Sequence, residues 1–182
     1  PAFLAGFLED YSGKVAPLQR LAIMFLSPFL AIILLQSATI THIGNFQIPI
    51  AISMAFTALI STAMVNGVNF TDGQNGLAGG TVFISTISMC CLAYLLNDNS
   101  LVYICAIIAA GVLSFLIYNY PNGKIFLGDG GAYFCGFIIT IIAIIIYNRH
   151  QSEVSILMIP TLLIYPLWEV TFSTIRKLFI EK

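Results

Sequence analysis

Two stretches of this chain set carboxylates among glycines and carboxamides. Asp72 lies in Asn66-Gly-Val-Asn69-Phe-Thr-Asp72-Gly-Gln-Asn75-Gly-Leu-Ala-Gly79, and Asp129 in Asn119-Tyr-Pro-Asn-Gly-Lys124-Ile-Phe126-Leu-Gly128-Asp129-Gly-Gly131. A third acidic position is the pair Glu9-Asp10. Glycines let a backbone approach a ligand closely. Carboxylate and amide oxygens are hard ligands suited to Mg2+, which keeps several waters and takes substrate phosphates as further ligands. Lys14, Arg20 and Lys124 stand near these acids in sequence, and cations so placed neutralise a diphosphate. The chemistry these residues suit is a Mg2+–diphosphate site. Asn-Gly and Asp-Gly are also common turn formers, so a single such loop would carry little weight.

The elements that must position these residues are membrane helices. Of the 182 residues, 59% are apolar and 8% charged. Soluble domains carry about 25% charged residues. That excludes a soluble globular enzyme and a disordered chain, and a net charge of −1 offers no basic patch for nucleic acid. Cys90, Cys91, Cys105 and Cys135 lie in apolar runs without a Cys-x-x-Cys pair and read as small hydrophobes. Crossing the hydrocarbon core takes about 20 helical residues. Runs at 21–40, 46–66, 77–96, 101–118, 131–147 and 154–172 fit. The expected fold is all-α, a polytopic membrane bundle with six transmembrane helices in one domain, 1–182. The opening at Pro1 reads as the end of an apolar segment, so the chain is expected to be a fragment.

The connectors alternate. Thr41–Asn45, Asn97–Ser100 and Asn148–Glu153 are plain; Glu9–Arg20, Asn66–Gly76, Asn119–Gly130 and the tail from Ser173 are rich in Gly, Asn, Asp or cations. The second set holds Lys14, Arg20, Lys124, Arg176, Lys177 and Lys182, the first only Arg149. The positive-inside rule places the second set in the cytoplasm. Three acid-bearing segments on one face, opposite three plain connectors, favour a site over a set of ordinary turns.

The strings then resemble a family. Gly6-Phe-Leu-Glu9-Asp10, the Asn-x-x-Asn-x-x-Asp-Gly-x-Asn-Gly-Leu-Ala-x-Gly stretch and the Asn-x-x-x-x-Lys-x-Phe-Leu-Gly-Asp-Gly-Gly stretch are similar to those of the polyprenyl-phosphate N-acetylhexosamine-1-phosphate transferases of glycosyltransferase family 4. The resemblance implies a bacterial inner-membrane enzyme with a cytoplasmic active site. It implies transfer of a sugar 1-phosphate from a UDP-N-acetyl sugar to polyprenyl (undecaprenyl) phosphate with release of UMP, initiating a cell-envelope glycan of the O-antigen, lipopolysaccharide or cell-wall type. It implies Mg2+, with Mn2+ as an alternative, and a homodimer in several members. Carried over position by position, Asp129 and Asn69 stand at the metal. Asp10, with Glu9 beside it, stands where the lipid phosphate is oriented or deprotonated, and Asp72 supports the site. Phe126 stacks on uracil and Asn75 contacts its edge. Lys14, Arg20 and Lys124 contact phosphates. Direct attack and a covalent aspartyl intermediate both stay open, as does the sugar.

Glu9 stands where paired aspartates are usual, which suits the sugar-antigen branch better; Asn75 replaces an aspartate of the peptidoglycan branch, and an amide can still read uracil. Gly130-Gly131 replaces a common Thr-Gly and reads as neutral. The family's early helices and its His-rich loop have no counterpart in these residues, so this piece alone is expected to be inactive. A transporter is the alternative, but it would carry its polar groups near the bilayer midplane. A scaffold needs no acid-bearing loops, and an alcohol phosphotransferase would show a multi-Asp helix. His42 and His150 read as solvated or interfacial histidines of the outer face, and Asp98 and Glu153 as solvated outer-loop charges. Glu169 reads equally as a partner of Arg176 or Lys177 and as a neighbour of the site. Tyr118, Tyr120, Tyr165 and Trp168 read as an interfacial aromatic belt.

Overall fold

A computed structural model of the chain describes residues 1–13, 16–35, 38–44 and 46–179. Lys14 lies outside the described residues. The elements are α1 (Ala2–Ser12), α2 (Pro17–Leu34), β1 (His42–Ile43), β2 (Phe46–Gln47), α3 (Ile50–Thr71), α4 (Leu77–Leu95), α5 (Asn99–Asn119), α6 (Gly128–Arg149), α7 (Met158–Leu162) and α8 (Ile164–Phe179). The protein is an all-α polytopic membrane bundle, and its short strands form one antiparallel hairpin pairing His42 with Gln47 and Ile43 with Phe46.

Helix α6 is the centre. Its run from Ile138 to Tyr147 is apolar on every side, and a helix apolar all round belongs in an interior. Ile139, Ile141, Ile142, Ile144 and Ile146 are all buried. Helices α1, α3 and α4 pack around it, α5 packs on α4, and α8 packs on α3. Helix α5 buries few residues and leaves most of its apolar surface exposed. Within the core, hydroxyls close on carbonyls one turn back: Thr62 on Ala58, Thr86 on Val82 and Thr140 on Gly136. This satisfies polar groups in a medium without water.

Four of the expected spans are helices long and apolar enough to cross a membrane: α3, α4, α5 and α6. The other two differ. The first is a shorter apolar helix, Leu18–Leu34, and Phe46 and Gln47, expected to begin the second span, pair with Ile43 and His42 in the hairpin instead. The last is divided at Leu163 into α7 and α8. Pro160 and Pro166 fall on either side of that break, and proline removes a backbone donor and crowds the preceding turn. Helix α8 also carries Glu169, Arg176 and Lys177, with Lys177 Nζ 5.0 Å above the Phe70 ring. Glu169 accepts a hydrogen bond from Ser173 at 3.2 Å.

Expected loops are also partly helical. Glu9 and Asp10 end α1, Asn66 and Asn69 sit in the last turns of α3, and Asp129 is in the first turn of α6. Asparagine is a poor helix former by propensity. Asn66 remains helical by donating to the Thr62 carbonyl at 2.8 Å, and Asn69 by meeting a tertiary partner described below.

One outer-face residue is corrected. Asp98 is not a solvated loop charge: its side chain is 11% exposed and caps α5 by accepting the Leu101 N–H at 3.2 Å. It also accepts from Ser100 at 2.6 Å and Arg149 at 2.9 Å. His150, 15% exposed, lies 3.4 Å from Asp98 and 3.6 Å from Glu153. The acid is held here because an N-cap and the last turn of α6 meet at this end. Glu153 is exposed as expected. His42 Nδ1 lies 2.9 Å from Thr41 Oγ1.

Candidate active site

The site forms where α1 ends and α6 begins. Asp10 accepts two backbone N–H groups, from Asp129 at 2.9 Å and from Gly130 at 3.0 Å. The first N–H groups of a helix have no intrahelical partner and carry the positive end of its dipole. A carboxylate from another helix thus closes the start of α6. Gly6 permits the approach, since a Cβ there would overlap the Asp129–Gly130 peptide. Gly128, at φ +69°, starts the helix from a left-handed conformation, with Asp10 Oδ2 2.8 Å from where its Cβ would stand.

Asp129 is then surrounded by donors from three helices. Asn69 Nδ2 donates to Oδ1 at 2.8 Å. Arg20 Nη1, from α2, and the Tyr133 hydroxyl, one turn further along α6, both donate to Oδ2, at 3.4 and 3.1 Å. Asp72 follows α3 directly. Burial lifts its carboxyl from 3.8 to about 6, against the Gly128 backbone hydrogen bond that lowers it, and the charges of Asp129 and Asp10 raise it further. Negative charge is in surplus at this point.

The donors that converge are hard oxygens: the Asp129 carboxylate and, once its amide turns, the Asn69 carbonyl. Among the described residues no group of three or more His, Cys, Asp or Glu side chains encloses a metal. One carboxylate with open positions suits Mg2+ or Mn2+ shared with substrate phosphates, and a dication would offset the Asp129 and Asp10 charges that add to the effect of burial on Asp72.

A second cluster joins the turn after α3 to the segment before α6. Asn119 is 3% exposed. Its Oδ1 accepts the Gly76 N–H at 2.5 Å and its Nδ2 donates to the Ile125 carbonyl at 2.8 Å. Asn75 Nδ2 donates to the Pro121 carbonyl at 3.1 Å. Phe126, 71% exposed, presents an open ring on this segment, and Lys124 is exposed beside it.

Of the residues singled out from the sequence, Asp10, Asp129, Asn69 and Arg20 meet directly, and Asp72 adjoins them through Gly128. Asn75, Lys124 and Phe126 belong to the neighbouring cluster. Glu9 stands in the last turn of α1. Sequence reasoning gave no role to Tyr133 or Asn119. A phenol four residues after Asp129 on a helix was a readable signal, because such pairs share a face. Asn119 heads the Asn-x-x-x-x-Lys stretch, but its type and position do not reveal which segments it joins.

Residues 1–147 match the family described as Glycosyl transferase family 4. A phospho-N-acetylmuramoyl-pentapeptide-transferase of Staphylococcus carnosus is 29% identical over 172 residues, covering 86% of this chain and 52% of that protein. A counterpart from Staphylococcus saprophyticus is 31% identical with the same coverage. A Bacillus subtilis protein named as a probable undecaprenyl-phosphate N-acetylglucosaminyl 1-phosphate transferase is 30% identical over 122 residues, covering 67% of this chain and 34% of that protein. The chain spans about half the length, or less, of these relatives.

Proposed function

The chain belongs to glycosyl transferase family 4, and on that premise we propose that its protein transfers an N-acetylhexosamine 1-phosphate from a UDP-sugar to polyprenyl phosphate. UMP is released, and the product starts a lipid-linked envelope glycan. The reading rests on one observation: Asp10, Arg20, Asn69 and Asp129, far apart in sequence, converge at one end of a membrane bundle. A lipid acceptor gives a sugar-nucleotide enzyme its reason to be built from membrane helices. The excess of cations on this face supports a cytoplasmic placement, where UDP-sugars are made.

A phosphate oxygen of the lipid bonds to the β-phosphorus of the UDP-sugar, and the bond from that phosphorus to the bridging oxygen breaks. The electron pair leaves on UMP. Asp129 and Asn69 would hold Mg2+, which when bound supplies charge neutralisation at the diphosphate. Arg20 offsets charge on the same side. Asp10 secures the α6 N-terminus and can accept the P–OH hydrogen of a singly protonated lipid phosphate, with Glu9 beside it. A phosphate whose second pKa is near 6 needs little help from a base. Phe126 and Asn75 receive uracil, and Lys124 and Lys14 serve the phosphates. Positioning and charge neutralisation account for most of the catalysis in such transfers.

The test uses the complete gene product in membranes, undecaprenyl phosphate, Mg2+ and a panel of UDP-N-acetyl sugars. UMP release that needs both lipid phosphate and Mg2+ is expected, and the best substrate names the sugar. Well-folded protein that releases no UMP from any of them would overturn the reading.

A further inference from the structure

Tyr133 heads the fully buried side chains by size and is 0% exposed. A buried phenol brings a hydroxyl that must find a partner. In this protein the partner is Asp129 Oδ2, at 3.1 Å. The same oxygen receives Arg20 at 3.4 Å, but that side chain is 31% exposed, and solvated ion pairs hold geometry weakly. Tyr133 has no such freedom: its ring is packed in the core, and its hydroxyl lies one helical turn from Asp129. With Oδ2 engaged, Oδ1 is the oxygen that faces Asn69.

We propose that Tyr133 is a positioning residue for divalent-cation binding: its buried hydroxyl sets the plane of the Asp129 carboxylate and presents Oδ1 toward the ligand beside Asn69. The proposal rests on Asp129 being the cation ligand. Groups that orient a metal ligand from behind typically change metal affinity about 10- to 100-fold when removed. Tyr133→Phe keeps the ring and deletes only the hydroxyl.

The experiment measures Mn2+ binding by electron paramagnetic resonance, on the full-length protein in nanodiscs with UMP and no acceptor lipid. Turnover assays supply the Mg2+ concentration for half-maximal UMP release. Tyr133→Phe is expected to weaken Mn2+ about tenfold and to raise that Mg2+ concentration similarly, with the rate at saturating Mg2+ within about twofold of wild type. Tyr133→Met, which fills the space without a hydroxyl, should behave alike and decides the matter if the Phe variant does not fold. Asp129→Asn should abolish Mn2+ binding. If it does, and Tyr133→Phe binds Mn2+ as wild type does, Tyr133 only packs and the proposal is wrong. If Asp129→Asn binds Mn2+ normally, the assignment of Asp129 fails instead, and the proposal with it.

Discussion

Two carboxylate clusters sit at opposite ends of α6, and they are built differently. At the outer end Asp98 caps α5, pairs with Arg149 and neighbours His150. Burial there pushes its carboxyl up, but hydrogen bonds from Ser100, Arg149, the Leu101 N–H and His150 outweigh it and hold the group well below the usual range. At the inner end Asp10, Asp72 and Asp129 gather around Arg20, and Asp72 is lifted to about 6. The outer acid has its charge met within the fold. The inner acids share a surplus, which costs stability unless something positive arrives. Groups held out of electrostatic balance mark functional sites more often than structural ones.

The largest contrast should come from amide substitutions. Asp129→Asn is expected to lower UMP release about 10²- to 10³-fold, as removal of a charge-stabilising group does, with the melting temperature little changed or raised. Asp98→Asn should do the reverse. Loss of a cap and of charged hydrogen bonds costs about 2 kcal/mol, read as a lower melting point, while activity per folded molecule stays within about twofold of wild type. An Asp98 variant that folds normally and is inactive would break the comparison.

A smaller effect is expected at the inner end from Asn119→Ala, which frees the two segments carrying Asn75 and Phe126. Losing a buried two-sided hydrogen bond should raise the KM for UDP-sugar about tenfold and leave kcat nearly unchanged. Steady-state kinetics at saturating lipid phosphate checks this.

The two ends should also differ in pH dependence. Asp72 has a folded value of about 6 against an ordinary 3.8. Its contribution to stability is therefore full below that ordinary value and lost as pH rises through about 6. Asp98 is depressed, so its contribution is full above the ordinary value and lost as pH falls below it. Metal-free protein should melt lower at pH 7 than at pH 5, and Asp72→Asn should flatten that trend. Added Mg2+ should reverse it. Asp98→Asn should instead flatten the loss on the acid side. The smallest effect belongs to Arg149→Gln. Arg149 is 43% exposed, and an exposed pair contributes about 1 kcal/mol or less, detectable as a small melting shift that salt reduces.

Much of this was readable in the chain. Glycine, carboxamide and acid in fixed order marked Asp10, Asn69, Asp72, Asn75 and Asp129 as candidates, because ligand chemistry restricts residue type at each point. Hydropathy located α3 to α6, because a helix that crosses the bilayer must be apolar for most of its length. The strand Phe46–Gln47 and the break at Leu163 were less legible. Both lie in apolar runs whose composition suits a straight helix equally well, and the departure depends on what packs beside them. Asp98 was misread for the same reason: nothing local reveals that Arg149 and His150 arrive from 51 and 52 residues away.

By itself, then, the sequence determined that the protein is a membrane helix bundle with its reactive residue types on one face, since hydropathy, charge placement and ligand chemistry are properties of residues and their spacing. Only the tertiary structure decided that Asp10 closes the start of α6, that Asn119 joins two segments, and that a buried tyrosine stands behind Asp129. Those facts depend on distances between residues remote in the chain, and they arise when Gly6 lets α1 pack against the first peptides of α6.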